Sequence, residues 1–179
     1  MKLSTALLTA TAFFPLGCSA FELSSSDLAA NQSIPAAYYW NNFGCSGANQ
    51  SPALNWKDAP AGTRSFAVTF YDKDAPTGSG FWHYLAYDLP ASTTRLSTGD
   101  LALASLPSGA REGSTDLGKP GFFGPCPPKG RLHHYEWTVH ALSAEKLPVP
   151  EGATAAMIGF YLWQHTLAKA TLTVTAGPR

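Results

Sequence analysis

The stretch from residue 65 to residue 89, SFAVTFYDKDAPTGSGFWHYLAYDL, contains two apolar segments joined by a loop rich in Gly and Pro. The first segment alternates and predicts a β-strand with Phe66, Val68 and Phe70 on one face. Asp72 continues that face at the strand end. The second segment predicts a strand with these residues on one face: His83, Leu85, Tyr87 and Leu89. Because antiparallel neighbours run in opposite directions, Asp72 and His83 are expected at the same sheet edge.

A third strand is predicted from Leu132 to Leu142. Its odd-numbered residues from 135 to 141 are apolar, and its even-numbered residues from 134 to 140 are polar. Since successive side chains of a strand point to opposite faces, His133 is expected to point inward and His134 outward. Adjacent imidazoles on opposite faces do not chelate one metal ion, which argues against a local His–His metal site.

The C-terminal region predicts one helix followed by one more strand. Apolar residues recur there at spacings of four, three and four, which is typical of an amphipathic helix of about four turns. This apolar stripe consists of Ala156, Phe160, Trp163 and Leu167. The alternating segment from Ala170 to Thr175 predicts a closing strand. Residues 98–121 lack periodicity and predict a long irregular connection, so the fold class is mainly β.

The composition indicates one globular domain and excludes several protein classes. The chain has 179 residues, of which 45% are hydrophobic and 13% charged, a balance that excludes intrinsic disorder. Twelve basic and twelve acidic residues cancel. No global basic field is therefore available to hold nucleic acid.

The first twenty residues predict a secretory signal peptide. Lys2 is followed by a short apolar stretch and then by the small-residue run from Gly17 to Ala20. The stretch is too short for a membrane span. A single domain over residues 21–179 is expected to be exported, to a periplasm or outside the cell. A lipid anchor at Cys18 is a weaker alternative, because Pro15 stands where lipoprotein signals usually have Leu.

Export leaves two cysteines, Cys45 and Cys126, each within a Gly- or Pro-rich loop. A disulfide between them is expected in an oxidising compartment. Two buried free thiols are the alternative. In the chain-entropy model, closing a loop of this length contributes roughly 4 kcal/mol to stability.

Three kinds of site fit the polar residues at the strand ends. Asp72 and Asp74 with the two histidines, His83 and His133, have the donor types of a metal site, but no ligand-spaced motif joins them. A hydrolytic site lacks a Gly-x-Ser-x-Gly motif, and a nucleophile lacks an evident base. An anion pocket combines imidazoles, neighbouring acids and the N–H groups of a Gly-rich loop, and we favour it.

Four segments resemble, in order, signatures of the phosphatidylethanolamine-binding protein family. They are Ser51 to Trp56, Asp72 to Pro76 (DKDAP, where the family usually has DPDAP), Trp82-His83, and Gly124 to Gly130 followed by Leu132 to Tyr135. The Cys-Pro-Pro sequence and an upstream Gly-Cys are similar to the prokaryotic branch called Raf kinase inhibitor-like. Any one segment is a weak signal, whereas four in order are a strong one.

The resemblance implies a large central antiparallel sheet, a smaller second sheet and a few peripheral helices, including one near the C-terminus. It also implies an anion pocket at the sheet edge. The pocket residues that it implies are Asp72, Asp74, Pro76, His83, Gly124, Pro125, His133 and Tyr135. Two departures are Lys73 in place of Pro and the lack of a terminal Gly-x-Tyr.

The function expected from these features is binding of phosphate or a phosphoethanolamine-like head group, without turnover, cofactor or metal. The alternative is an interaction module that inhibits a hydrolase or a signalling protein through the loops around the pocket. A homodimer is a further expectation from prokaryotic relatives. If the histidines bind an anion as imidazolium, affinity should fall as pH rises through about 6.5.

Overall fold

The computed structural model describes residues 20–101 and 105–179. The predicted signal peptide and Cys18 lie outside these residues, except for Ala20, so export and the lipid anchor stay predictions. The strands are β1 (Glu22–Ser24), β2 (Leu54–Lys57), β3 (Ser65–Asp72), β4 (Phe81–Pro90), β5 (Arg95–Leu96), β6 (Arg111–Glu112), β7 (His133–Leu142) and β8 (Thr166–Ala176). A 3-10 helix spans Ala36–Tyr38, and one α-helix, α1, spans Ala155–His165.

The strands form two antiparallel sheets, as expected for this fold class. The large sheet has the order β6-β4-β3-β7-β8, and the small sheet has the order β1-β2-β5. No helix in the described part of the chain is both long and apolar enough to cross a membrane.

The large sheet is covered on both faces, which explains why its central strand β3 is buried almost throughout. One face packs against the small sheet, and Phe66, Trp137 and Leu54 belong to the hydrophobic cluster on that side. The other face packs against α1, and Leu85 and Ile158 belong to the hydrophobic cluster on that side. Each large apolar side chain buried in this way contributes about 1.5–3 kcal/mol.

The prediction that His83, Leu85, Tyr87 and Leu89 share one face of β4 was wrong, because two register shifts interrupt the pairing of β4 with β3. Phe70 pairs with Tyr84 and Tyr71 pairs with Trp82, so His83 is the extra residue of a β-bulge. His83 therefore lies on the side of Phe70, whose ring is 5.5 Å away. Leu85 and Tyr87 instead pack on the α1 side. A second shift, between Phe66 and Val68, returns Leu89 to the small-sheet side.

The predicted apolar stripe of the C-terminal helix was wrong. The buried face of α1 is formed by Ala155, Ile158 and Leu162. The four stripe residues are exposed, Trp163 by 76% and Phe160 by 50%, and Leu167 belongs to β8. Because α1 has apolar residues around most of its circumference, spacing alone could not choose the face that packs on the sheet. The closing strand is also longer than predicted, since it begins directly where α1 ends.

Candidate functional site

A pocket of about 390 Å³ opens at one edge of the large sheet. At this edge β3 ends with Asp72, whose strand partners are Phe81 at the start of β4 and Tyr135 near the start of β7. The polar side chains that line the pocket, apart from Thr77, are Asp72, His83, His133 and Tyr135. The predicted meeting of Asp72 and His83 at one edge is therefore confirmed.

A buried pair joins β3 to β7 at the base of the pocket. The Nδ1 atom of His133 lies 2.8 Å from Oδ2 of Asp72, and both side chains are about 95% buried. The other carboxylate oxygen, Oδ1, accepts the backbone N–H of Asp74 at 3.0 Å. As a carboxylate only accepts, Nδ1 of His133 is the donor, and its Nε2 atom is left for a ligand.

The ring of His83 is fixed by the backbone of the loop that follows β6. Its Nδ1 atom donates to the carbonyl of Phe123 at 2.8 Å, and the Phe123 N–H donates back to the His83 carbonyl. Burial lowers the pKa of His83, although the Phe123 carbonyl and the Asp72 carboxylate act in the opposite direction. His83 is therefore neutral near pH 7, with a lone pair on Nε2.

Tyr135 places a buried hydroxyl in the pocket lining. By distance and angle this hydroxyl makes no hydrogen bond within residues 20–101 and 105–179, and the Asp72 carboxylate lies close to it. Burial raises the pKa of Tyr135, and the nearby Asp72 carboxylate raises it further, so the phenol stays protonated. An orphaned buried donor beside a pocket is a group that a ligand can satisfy.

The rest of the pocket wall is mostly apolar and comes from loops. Its apolar residues include Trp40, Phe43, Ala75, Pro76, Phe81, Leu117, Pro127 and Pro128. The rings of Trp40 and Phe43 pack at a tilt, with centroids 4.8 Å apart, and form an aromatic part of this wall.

Two connections hold the Trp40–Phe43 segment to the loop of Pro127. The predicted disulfide between Cys45 and Cys126 is present, with Cα atoms 5.9 Å apart. In addition, Arg179 donates from Nε to the Pro127 carbonyl at 2.7 Å and from Nη1 to the Gly44 carbonyl at 2.8 Å.

Gly124 and Pro125 position the wall and do not line the pocket. The Gly124 N–H donates to Asn49 Oδ1 at 2.8 Å, and the Pro125 carbonyl accepts from the Trp40 N–H at 3.1 Å. A Cβ atom on Gly124 would lie 2.1 Å from the Tyr38 carbonyl oxygen, so only glycine allows this close approach.

Asp74 also lies outside the pocket lining, in contrast to the other acid of its segment. Its Oδ2 atom accepts from both the backbone N–H and the ring Nδ1 of His134, each at 2.7 Å. Burial acts to raise the pKa of Asp74, but the hydrogen bonds from His134 give a net lowering. His134 points away from His133, as strand parity predicted. Within the described residues, no cluster of three or more His, Cys, Asp or Glu is arranged to hold a metal ion.

Comparisons with known proteins found a matching family model and several similar chains. The family model described as phosphatidylethanolamine-binding protein matches residues 24–177. The UPF0098 protein YbhB of Escherichia coli K12 is 48% identical over 153 residues, which are 85% of this chain and 97% of YbhB. The crystal structure of E. coli YbcL, titled a new member of the mammalian PEBP family, superposes with a TM-score of 0.85. It is 40% identical, and the match covers 89% of this chain and 99% of YbcL.

A more distant relative carries the name of a lipoprotein. The putative lipoprotein LppC of Mycobacterium tuberculosis H37Rv is 33% identical over 134 residues. The match covers 74% of this chain and 63% of LppC.

Proposed function

Since this chain belongs to the phosphatidylethanolamine-binding protein family, we propose that its sheet-edge pocket binds a small anion of the phosphate type without chemical turnover. The observation that carries the proposal is the convergence of His83, His133 and the unpartnered Tyr135 hydroxyl on one pocket. Both imidazoles are held by their Nδ1 atoms, which leaves both Nε2 atoms for one ligand.

The chemistry of the lining supports binding over turnover. Nucleophilic catalysis needs an activated hydroxyl, thiol or amine beside a base. Of the described lining residues, Cys126 is in the disulfide, and the Thr77 hydroxyl donates to the Gly80 carbonyl. Burial raises the pKa of the Tyr135 phenol, which makes it a poor nucleophile. Incubation with a chromogenic phosphate ester should therefore release no product above the uncatalysed rate.

Calorimetric titration with phosphoethanolamine tests the binding function. We expect saturable one-to-one binding by the mature chain and at least about tenfold weaker binding by His133→Gln, because a ligand hydrogen bond in a buried site is lost. His134→Gln is the matched control, since the neighbouring ring is bound to Asp74 outside the pocket. Equal loss in both variants, or no binding by the wild-type chain, would contradict the proposal.

A second candidate is a protein partner that covers the loops around the pocket, as an inhibitor would. Phe43 favours it, because this aromatic side chain at the pocket wall is 68% exposed. A partner captured by the wild-type chain and lost with Asp72→Ala and His133→Ala would place the pocket in the interface. Retention with both variants would exclude the pocket from it.

We also propose that the protein is exported. The disulfide supports an oxidising compartment, and the name of LppC supports an exported relative. Fractionation of cells that express the full chain should place it outside the cytoplasm. Labelling with a fatty acid that disappears in Cys18→Ala would establish the lipid anchor instead of a cleaved signal peptide. Dimerisation stays a prediction.

A further inference from the structure

The two pocket histidines offer hydrogen-bond acceptors, and not donors, in their neutral forms. A neutral imidazole has one N–H, and in both rings this proton is on Nδ1. His83 gives it to the Phe123 carbonyl, and His133 gives it to the Asp72 carboxylate, and neither of these groups can donate in return. Burial lowers the pKa of His83, so its Nε2 atom has a lone pair near pH 7, and His133 offers a second one when its ring is neutral. Neither Nε2 atom makes a hydrogen bond within the described part of the chain.

The surroundings supply negative rather than positive charge. No Lys or Arg is among the described residues of the pocket lining. The ionisable groups that act on His83 are the carboxylates of Asp72 and Asp116 and the ring of His133. Those that act on Tyr135 are again Asp72, with the phenol of Tyr39 and the carboxylate of Asp74.

Tyr135 supplies a neutral side-chain donor at the polar end of the pocket. Its protonated hydroxyl has no partner among the described residues, and it stands beside two imidazole acceptors. One donor with two acceptors is the complement of an acid group that both accepts and donates. It is not the complement of an anion that has only acceptors.

We propose that this pocket, given the phosphate-type binding proposed above, selects anions that retain a proton over fully deprotonated anions of the same shape. Phosphate monoesters and phosphonates in their singly protonated form belong to the first class, and sulfate esters belong to the second. The P–O–H group donates to the Nε2 lone pair of His83, and another phosphate oxygen accepts from Tyr135. A sulfate ester has no proton to donate. Its oxygens would therefore face the Nε2 lone pair of His83 and the Asp72 carboxylate without a hydrogen bond.

Calorimetry with two esters of one alcohol tests the selectivity. At pH 6.5 we expect ethanolamine sulfate to bind at least about tenfold more weakly than phosphoethanolamine, since a site built for a hydrogen bond rejects an analogue that lacks it. With a second phosphate pKa near 6, the singly protonated fraction falls about 50-fold from pH 6 to pH 8. The affinity for phosphoethanolamine should fall in parallel.

The variant Asp72→Asn tests the cause of the selectivity. It removes the negative charge, and an asparagine amide can donate to His133 Nδ1, which shifts the ring proton to Nε2 and creates a donor in the pocket. We expect the affinity for ethanolamine sulfate to rise at least about tenfold relative to the affinity for phosphoethanolamine. Asp74→Asn is the matched control and should change the ratio much less, because Asp74 lies outside the pocket lining and acts on Tyr135 only through its charge.

The outcomes separate this inference from the binding function. Equal affinities of the wild-type chain for the two esters, or a ratio unchanged by Asp72→Asn, would overturn the selectivity and leave anion binding standing. Failure of the wild-type chain to bind either ester would overturn both.

Discussion

Removing the disulfide should cost the protein a large part of its stability. Cys45 and Cys126 are separated by 81 positions. Closing a loop of that length in the unfolded chain corresponds to about 4.5 kcal/mol at 25 °C in the chain-entropy model. For a domain of this size, such a loss lowers the melting temperature by roughly 10–15 °C.

The assay is urea denaturation of the oxidised wild-type chain and of the double variant Cys45→Ala/Cys126→Ala. Because the uncrosslinked chain unfolds to a more expanded state, the m-value should rise. The comparison is therefore made on extrapolated free energies of unfolding and not on midpoints. A loss below about 1 kcal/mol would refute the assignment of the stabilisation to loop closure.

Arg179 gives the same experiment a second readout. Its hydrogen bonds to the Gly44 and Pro127 carbonyls connect the two loops independently of the disulfide. The double variant should therefore retain phosphoethanolamine binding with less than a tenfold loss, whereas addition of Arg179→Met should weaken binding further. An unchanged affinity in the triple variant would contradict a role of Arg179 in holding the pocket wall.

Three further predictions concern packing and pH. Gly124→Ala should destabilise the fold by about 1–3 kcal/mol, because its Cβ would overlap backbone atoms. Gly159→Ala in α1, where a Cβ would make only an ordinary contact, should stabilise the fold by up to about 1 kcal/mol. Urea denaturation measures both changes. In the same assay Leu162→Ala should cost about 2–5 kcal/mol and Trp163→Ala less than about 0.5 kcal/mol, and the reverse order would contradict the orientation of α1. Burial and, to a lesser degree, the charge of Lys169 lower the pKa of His140 to about 4. Because the unfolded chain takes up this proton near pH 6.5, the free energy of unfolding should fall by about 2–3 kcal/mol as pH falls from 6.5 toward 4. His140→Gln should remove that part of the pH dependence of the unfolding free energy, and an unchanged pH profile would refute it.

Strand parity predicted the faces of β3 and β7 because the residues concerned alternate without interruption. Between His133 and Ala141 the pairing of β7 with its neighbours has no bulge, so the opposite orientations of His133 and His134 followed from sequence. In β4 the alternation of apolar residues does not reveal the bulge at His83. Strand parity therefore assigned Leu85 and Tyr87 to the wrong face of the sheet.

The polar end of the pocket was predictable, and its apolar wall was not. Asp72, His83 and His133 stand at strand ends that antiparallel pairing brings together. Trp40 and Leu117 come from irregular segments whose positions depend on tertiary contacts with distant loops, such as the Trp40 N–H bond to Pro125. No local periodicity encodes such contacts.

The most direct test of the central claim is an NMR titration of the imidazole signals with phosphoethanolamine. The chain has five histidines, so each ring can be assigned from single substitutions. Binding in the sheet-edge pocket predicts saturating shifts of His83 and His133, whose Nε2 atoms are unpartnered by the described residues, and none of His134, which is bound to Asp74. Saturating shifts of His134 without shifts of His83 and His133, or no shifts at all, would contradict it.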